Sequence, residues 1–132
     1  MMLVDTSGLF CCHHAGERQH ADAVRLFRSA SLRLMHSYIL AEFIPLCRAR
    51  GLNIADALAF AVDLLNNPHV EIVWVDEDLH RAALAFLQQR LDKAYSLCDA
   101  VSFVLMRARG ITEALTTDRH FEQEGFVRLL EP

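Results

Sequence analysis

Short apolar runs alternate along this chain with longer stretches in which apolar residues recur every three or four positions. The short runs are typical of buried strands in a parallel sheet, and the longer stretches are typical of amphipathic helices. The predicted strands are MLVD at 2–5, then 32–36, 70–75, 113–117 and 126–130. The predicted helices are a brief one after the turn at 6–8, then 17–30, 37–50, 53–66, 76–91, 96–109 and one or two turns at 118–124. Because single or paired helices separate the strands, the pattern predicts an α/β domain with a mostly parallel central sheet.

Several helix boundaries carry residues that favour helix ends. Ser37 is expected to cap the helix that follows it, and Asn53 to start the next one. Gly51 and Gly110 each come after a predicted helix, where glycine favours termination. No repeat, linker or low-complexity segment interrupts the 132 residues, so we expect one domain over residues 1–132.

Composition excludes a membrane-spanning protein. The longest apolar stretches, such as 38–41 and 43–47, are far shorter than the ~20 residues that a spanning helix needs. Asp5 interrupts the N-terminal apolar run before a secretion signal can form. Hydrophobic residues nevertheless make up 53% of the chain, which favours apolar surface that a partner covers. We therefore expect a cytoplasmic protein without membrane association.

The cysteines and charges narrow the chemistry. The four cysteines include no CxxC pair, so we expect free thiols. The run CCHH at 11–14 does not favour zinc, because four consecutive side chains do not easily converge on one tetrahedral ion. The net charge of −4 argues against broad coating of nucleic acid. Twelve of the thirteen basic residues are Arg, however, which suits local contacts with phosphate.

Carboxylates from four separate segments lie where such a sheet would bring them together. Asp5 ends the first predicted strand, and Asp118 follows the fourth. Asp99 lies near the start of a predicted helix, and Glu42 lies within another. Ligands bind at the carboxyl ends of parallel strands, and helix starts face the same edge. The sequence therefore predicts that the acids converge on one site.

Helix capping is the alternative for three of these acids. Asp5 and Asp118 can cap the short helices that follow them, and Ser96-x-x-Asp99 has the form of a capping box. Glu42 has no such explanation, because its helix carries no basic residue three or four positions away. Burying an unpaired carboxylate is costly, so we expect a positive group to meet Glu42, and a divalent cation would serve.

Three motifs and one isolated acid together form a recognisable signature. They are VDTSGLF at 4–10, an acid in the helix after the second strand, YSLCDAVSFVLM at 95–106 and ALTTDRHFEQEGFVRLL at 114–130. In this order and spacing the chain resembles PIN-domain proteins of the VapC-like toxin group. The resemblance extends over the whole chain and implies a PIN-like α/β/α sandwich.

The resemblance also implies a magnesium- or manganese-dependent endoribonuclease, the toxin of a type II toxin–antitoxin pair. The positions that match the family's catalytic, metal-binding acids are Asp5, Glu42, Asp99 and Asp118. The positions that match its polar residues beside the metal are Thr6, Ser7 and Thr116. Carboxylate oxygens are the hard ligands that Mg²⁺ prefers, and one ion or two ions ~3.5–4 Å apart would activate water and stabilise developing charge. Ser7 is interpreted as a supporting hydrogen bonder, since no His/Asp pair activates it.

Three further positions lie beside the predicted site acids. Cys98, which precedes Asp99, stands where close relatives often have Thr, so the polarity beside that acid changes. Arg119 and His120 adjoin Asp118 and are candidates for contact with phosphate, although solvated surface positions are an equal alternative.

The implied partners are an RNA substrate, a small cognate antitoxin that covers apolar surface near the site, and a second copy of the chain. The homodimer is expected from the apolar helices around 38–47 and 53–65. Two other functions stay open: a housekeeping nuclease that processes RNA, and a module that keeps the fold and binds another protein without cleaving RNA.

Overall fold

Strands and helices alternate along the chain in the order that the apolar pattern predicts. The computed structural model describes residues 1–131. The strands are β1 (Met2–Val4), β2 (Arg33–His36), β3 (Val70–Val73), β4 (Glu113–Leu115) and β5 (Val127–Arg128). The helices are α1 (Thr6–His13), α2 (His20–Ser29), α3 (Ser37–Ala49), α4 (Ile54–Asn66), α5 (Glu77–Gln88), α6 (Leu97–Arg109) and α7 (His120–Gln123). Within these residues, no helix is both long enough and apolar enough to cross a membrane.

The strands of the described chain form one parallel sheet in the order β3-β2-β1-β4-β5. From β1 the chain builds outward through β2 to β3, and it then returns to the other side of β1 for β4 and β5. This reversal makes a switch point between β1 and β4, where open α/β sheets bind ligands at the carboxyl ends of the strands. With helices packed on the sheet, the predicted α/β/α fold class is confirmed.

The core lies between the sheet and the helices that cover it. Its large, fully buried apolar side chains include Leu3, Leu34, Met35 and Leu115 on the strands, Leu9 on α1, Ile39 and Phe43 on α3, Phe103 and Met106 on α6, and Phe121 on α7. Both helices that carry predicted site acids, α3 and α6, therefore have one face fixed in the core.

Helix α1 begins directly over the end of β4. A Cβ atom on Gly8 would lie 2.0 Å from the carbonyl oxygen of Leu115, so this close approach requires glycine. The approach brings the first turn of α1 next to the residues that follow β4, and Ser7 Oγ lies 3.1 Å from Thr116 Oγ1.

The start of α3 differs from the prediction. Its N-cap is His36, and Ser37 is the first helical residue. Ser37 Oγ accepts a hydrogen bond from the Val75 backbone N–H at 2.9 Å. The expected capping role of Ser37 is therefore wrong, because the segment after the neighbouring strand β3 supplies the donor for its hydroxyl.

Helix α4 turns part of its predicted apolar face to solvent. Ala57 and Leu64 are buried, whereas Leu58, Val62 and Leu65 are 50%, 52% and 48% exposed. A single copy of the chain therefore leaves an apolar stripe, made of these three exposed residues, uncovered.

The CCHH segment in α1 and just after it does not gather around one point. Cys11 Sγ lies 3.8 Å from Gln19 Oε1, whereas the His13 ring packs against the rings of Phe43 and Phe60. The four cysteines are all free thiols.

Candidate active site

A cleft of about 770 Å³ is built around the switch point. The predicted acids all line it, namely Asp5, Glu42, Asp99 and Asp118. Helix α3 adds an apolar wall that includes Ala41 and Pro45. The described residues that line the cleft include no Lys or Arg. The fold thus gathers acids from four segments without a basic side chain of Lys or Arg on the cleft wall.

Asp5 follows β1 and is only 5% exposed. Its Oδ2 accepts a hydrogen bond from the Thr116 hydroxyl at 2.9 Å. Burial, together with the nearby carboxylates of Asp99 and Asp118, raises the pKa of Asp5 from 3.8 to about 7 despite this hydrogen bond. Asp5 occupies the N-cap position of α1, but its side chain makes no capping bond. The capping alternative is therefore wrong for Asp5.

Two hydroxyls support Asp5, that of Thr116 after β4 directly and that of Ser7 in α1 through Thr116. The Thr116 hydroxyl gives its single proton to Asp5, so Ser7 must donate the 3.1 Å hydrogen bond between Ser7 Oγ and Thr116 Oγ1. Ser7 Oγ in turn accepts the Thr117 backbone N–H at 3.0 Å. The Ser7 proton is committed to Thr116, which fits a supporting role and not that of a nucleophile.

Asp99 caps a helix and lines the cleft at the same time. Ser96 Oγ accepts the Asp99 backbone N–H at 3.0 Å, and Asp99 Oδ2 accepts the Ser96 backbone N–H at 3.1 Å, which completes a capping box at the start of α6. Asp99 Oδ2 also lies 3.0 Å from His120 Nδ1. Burial is the main cause of a raised pKa at Asp99, and repulsion by Asp118 adds to it. Capping is therefore real here, and it fixes Asp99 at the cleft.

Asp118 lies in the segment between β4 and α7, and His120 is the first residue of α7. The Asp118 backbone N–H donates to Thr116 Oγ1 at 3.0 Å, and Asp118 Oδ1 accepts the His120 backbone N–H at 2.9 Å. The second bond closes the turn before α7, whose N-cap is Arg119, so Asp118 stabilises the turn without being the cap residue itself. One ligand atom from each of Asp99, Asp118 and His120 lies within 4.8 Å of the others.

Glu42 lies within α3 as predicted, but it is not buried, so the expectation of a buried carboxylate is wrong. The residue is exposed, on the side of α3 that lines the cleft, and its Oε1 accepts the Thr6 hydroxyl at 2.7 Å. The neighbouring Cys98 is buried, and burial, together with the Glu42 carboxylate, raises the pKa of the Cys98 thiol. A neutral thiol therefore stands beside Glu42.

The structure distinguishes Arg119 from His120, because only His120 is among the described residues that line the cleft. Arg119 is exposed and is not among the described residues that line the cleft, so its contact with phosphate stays a prediction. His120 lines the cleft and reaches Asp99, which sequence reasoning did not distinguish from a surface position. The sequence feature that could have indicated a site role for His120 is its position two residues after Asp118 in the TTDRHF stretch.

The donor set suits a hard divalent cation. The carboxylates face one another in a cleft whose described lining includes no Lys or Arg, and burial together with their mutual repulsion raises the pKa of Asp5. Mg²⁺ and Mn²⁺ take carboxylate oxygens as preferred ligands. The acids that line the cleft therefore fit such an ion.

Known proteins share both the sequence and the fold. The family model described as the PIN domain matches residues 2–126, and the chain belongs to this family. The 23S rRNA-specific endonuclease VapC20 of Mycobacterium tuberculosis, in strains CDC 1551 / Oshkosh and H37Rv, is 35% identical over 130 residues, which cover 98% of each chain. A crystal structure of M. tuberculosis VapC20, described as a sarcin–ricin loop cleaving toxin, matches with a TM-score of 0.87 and 30% identity over 100% of both chains. The resemblance to VapC-like PIN proteins is therefore confirmed.

Proposed function

We propose that this chain is a metal-dependent endoribonuclease that hydrolyses RNA phosphodiester bonds in the cleft and acts as the toxin of a type II toxin–antitoxin pair. The observation that carries the proposal is the convergence of Asp5, Glu42, Asp99 and Asp118 from four segments on one cleft whose described lining includes no Lys or Arg. We take residues 1–132 as a single cytoplasmic domain.

The proposal gives each acid a role toward Mg²⁺ or Mn²⁺. Asp5 and Asp99, the buried pair, would hold the first ion, and Glu42 and Asp118 would orient water or hold a second ion. A bound ion supplies an ionised water at neutral pH and stabilises charge on the phosphate oxygens.

The chain's own side chains do the positioning. Thr116 fixes Asp5 through Oδ2, and Ser7 in turn fixes Thr116. Thr6 holds Glu42 on the cleft side of α3. No side chain is required as a nucleophile, because the attacking group in this proposal is water.

A stem-loop of the large ribosomal RNA is the substrate class that we propose. The supporting observation is that the VapC20 proteins, named as 23S rRNA-specific endonucleases, align with nearly the whole chain. A phosphate approaching an acidic cleft also needs positive charge, and Arg119, exposed beside Asp118, is our candidate for part of it.

The experiment incubates the pure protein with a panel of structured RNAs and Mg²⁺ or Mn²⁺. The panel contains the sarcin–ricin stem-loop, the same stem with a scrambled loop, and a transfer RNA. We expect a single cut in the intact loop and little cleavage of the scrambled control. Cleavage of the transfer RNA alone would favour a housekeeping nuclease, and no cleavage of any RNA would favour a binding module.

The uncovered stripe on α4 supports a homodimer. Leu58, Val62 and Leu65 are about half exposed, which a second copy or another protein would cover. Sedimentation should show a dimer that Val62→Asp weakens, with the exposed Asp78→Asn as a control. A monomer at every protein concentration would contradict the dimer.

We also propose that a small antitoxin binds the apolar wall of α3 beside the acids. A bound antitoxin that leaves RNA cleavage unchanged would contradict this proposal.

A further inference from the structure

His120 contacts two of the cleft acids, which come from different segments. Its Nδ1 lies 3.0 Å from Asp99 Oδ2 on α6 and 3.3 Å from Asp118 Oδ1 after β4. Its backbone N–H donates a separate hydrogen bond to Asp118 Oδ1 at 2.9 Å. One residue thus connects the acid in the first turn of α6 with the acid that follows β4.

The His120 ring packs against Tyr95, which belongs to a network centred on the buried carboxylate of Glu124. The Tyr95 ring packs edge-on against it, with ring centroids 5.2 Å apart and planes at 68°. The Tyr95 hydroxyl donates to Glu124 Oε1 at 3.2 Å. Glu124 is buried, and Arg90 and Arg107 each approach one of its carboxylate oxygens to 2.8 Å. This anchoring restricts the ring to the orientation in which Nδ1 faces the acids.

We propose that His120 is a positioning residue, whose Nδ1–H donates to Asp99 Oδ2 and thereby presents the other oxygen, Oδ1, to the metal. This inference rests on the proposed function, in which Asp99 is a metal ligand. Oδ2 accepts the hydrogen bonds from both Ser96 and His120, so the carboxylate is turned by two donors on the same side.

Direct ligation of the metal by His120 is the competing role for the same geometry. A metal ligand must offer the lone pair of its nitrogen, whereas a nitrogen that donates a hydrogen bond to a carboxylate oxygen 3.0 Å away must carry the proton. Nδ1 cannot do both. In metalloproteins, partners that orient a ligand in this way change metal affinity by ~10–100-fold when they are removed.

Two substitutions separate the donor from the ring. His120→Asn keeps an N–H donor at the same number of bonds from the backbone but loses the ring. His120→Phe keeps a ring against Tyr95 but loses the donor. His69→Ala, a change in the exposed loop before β3, is the control. The measurement is the dissociation constant of Mn²⁺ by calorimetry, with a thermal melt of each variant to show that it is folded.

We expect His120→Phe to weaken Mn²⁺ binding by ~10-fold or more, and His120→Asn to lose much less than that. Equal losses in both variants would assign His120 to the metal as a ligand and overturn the positioning role. Wild-type affinity in His120→Phe would overturn it as well, because the donor would then be dispensable. If the wild-type protein binds no Mn²⁺, both this inference and the proposed metal site are overturned. If the wild type binds Mn²⁺ and His120→Phe binds it with the same dissociation constant, only this inference is overturned.

Discussion

Replacing Asp5 with Asn is expected to lower the rate of RNA cleavage at saturating Mg²⁺ by more than about 10³-fold while leaving the far-UV circular dichroism spectrum unchanged. Asp5 is buried at the switch point, and the amide of Asn carries no charge to attract a cation. The fold should survive, because Asn can still accept the hydrogen bond from Thr116. The measurement is the initial cleavage rate on the best RNA of the panel.

The matched control for this change is Asp78→Asn. Asp78 is an exposed acid in the first turn of α5 and is not among the described residues that line the cleft, and its replacement by Asn makes the same change of charge. Its cleavage rate should equal that of the wild type. A fully active Asp5→Asn variant would remove Asp5 from the metal site and with it the proposed roles of the acids.

The second large effect is a pH-dependent gain in stability when Asp5 becomes Asn in metal-free protein. The pKa of Asp5 is about 7 in the folded chain and 3.8 in the reference state. Between these values the folded protein binds more protons than the unfolded chain, so its stability falls as the pH rises. Each pKa unit is worth ~1.4 kcal/mol, so ionising Asp5 in the empty cleft costs the fold up to about 4 kcal/mol.

The expected result in EDTA is that Asp5→Asn is more stable than the wild type by up to about 4 kcal/mol at pH 8. The difference should shrink as the pH falls from 7 and approach zero only below 3.8, where Asp5 is protonated in both states. Urea unfolding of the two proteins at several pH values measures it. A difference that does not change with pH would show that repulsion among the acids and burial of Asp5 do not set the stability.

Bound Mg²⁺ should have the opposite effect on stability, because it stabilises the wild type more than Asp5→Asn. An ion at about 100 times its dissociation constant stabilises the protein that holds it by ~2.7 kcal/mol. Mg²⁺ should therefore stabilise the wild type at pH 8 and leave Asp5→Asn nearly unchanged, which narrows the gap. Equal stabilisation of both proteins would place the ion outside the cleft.

The acids at strand ends were predictable because the topology of a parallel sheet determines where they go. Asp5 and Asp118 follow β1 and β4, and these neighbouring strands bring both to one edge whatever the details of packing. For Asp99 the sequence predicted two alternative roles, one as a capping residue and one as a site residue. The structure shows that the two roles coincide, since the capping box is what fixes the side chain at the cleft.

Rotation of a helix about its own axis was not predictable from local pattern. The apolar stretch around Glu42 suggested burial, yet Phe43 is the neighbour that enters the core and Glu42 lies exposed on the cleft side. The same uncertainty affected α4, where Leu58 and Val62 share an apolar pattern with buried residues but lie outside. Contacts with other elements decide these rotations, and a single helix does not encode them.

Contacts that depend on distant side chains were also beyond the sequence. The Ser37 hydroxyl bonds Val75, although its position at a helix start favours a cap. The orientation of His120 depends on Tyr95, which lies in a different segment and is itself held by Glu124. Such tertiary partners are not visible in spacing or periodicity.

Cleavage of the sarcin–ricin stem-loop by metal-stripped protein, measured as Mn²⁺ is added back, tests directly whether the cleft hydrolyses RNA with a bound metal ion. We expect no cleavage in EDTA, a rate that rises with Mn²⁺ and then saturates, and products without a 2′,3′-cyclic phosphate, because water and not the ribose hydroxyl attacks the phosphorus. Cleavage that persists in EDTA, or products that end in a cyclic phosphate, would contradict a metal-dependent hydrolysis in this cleft.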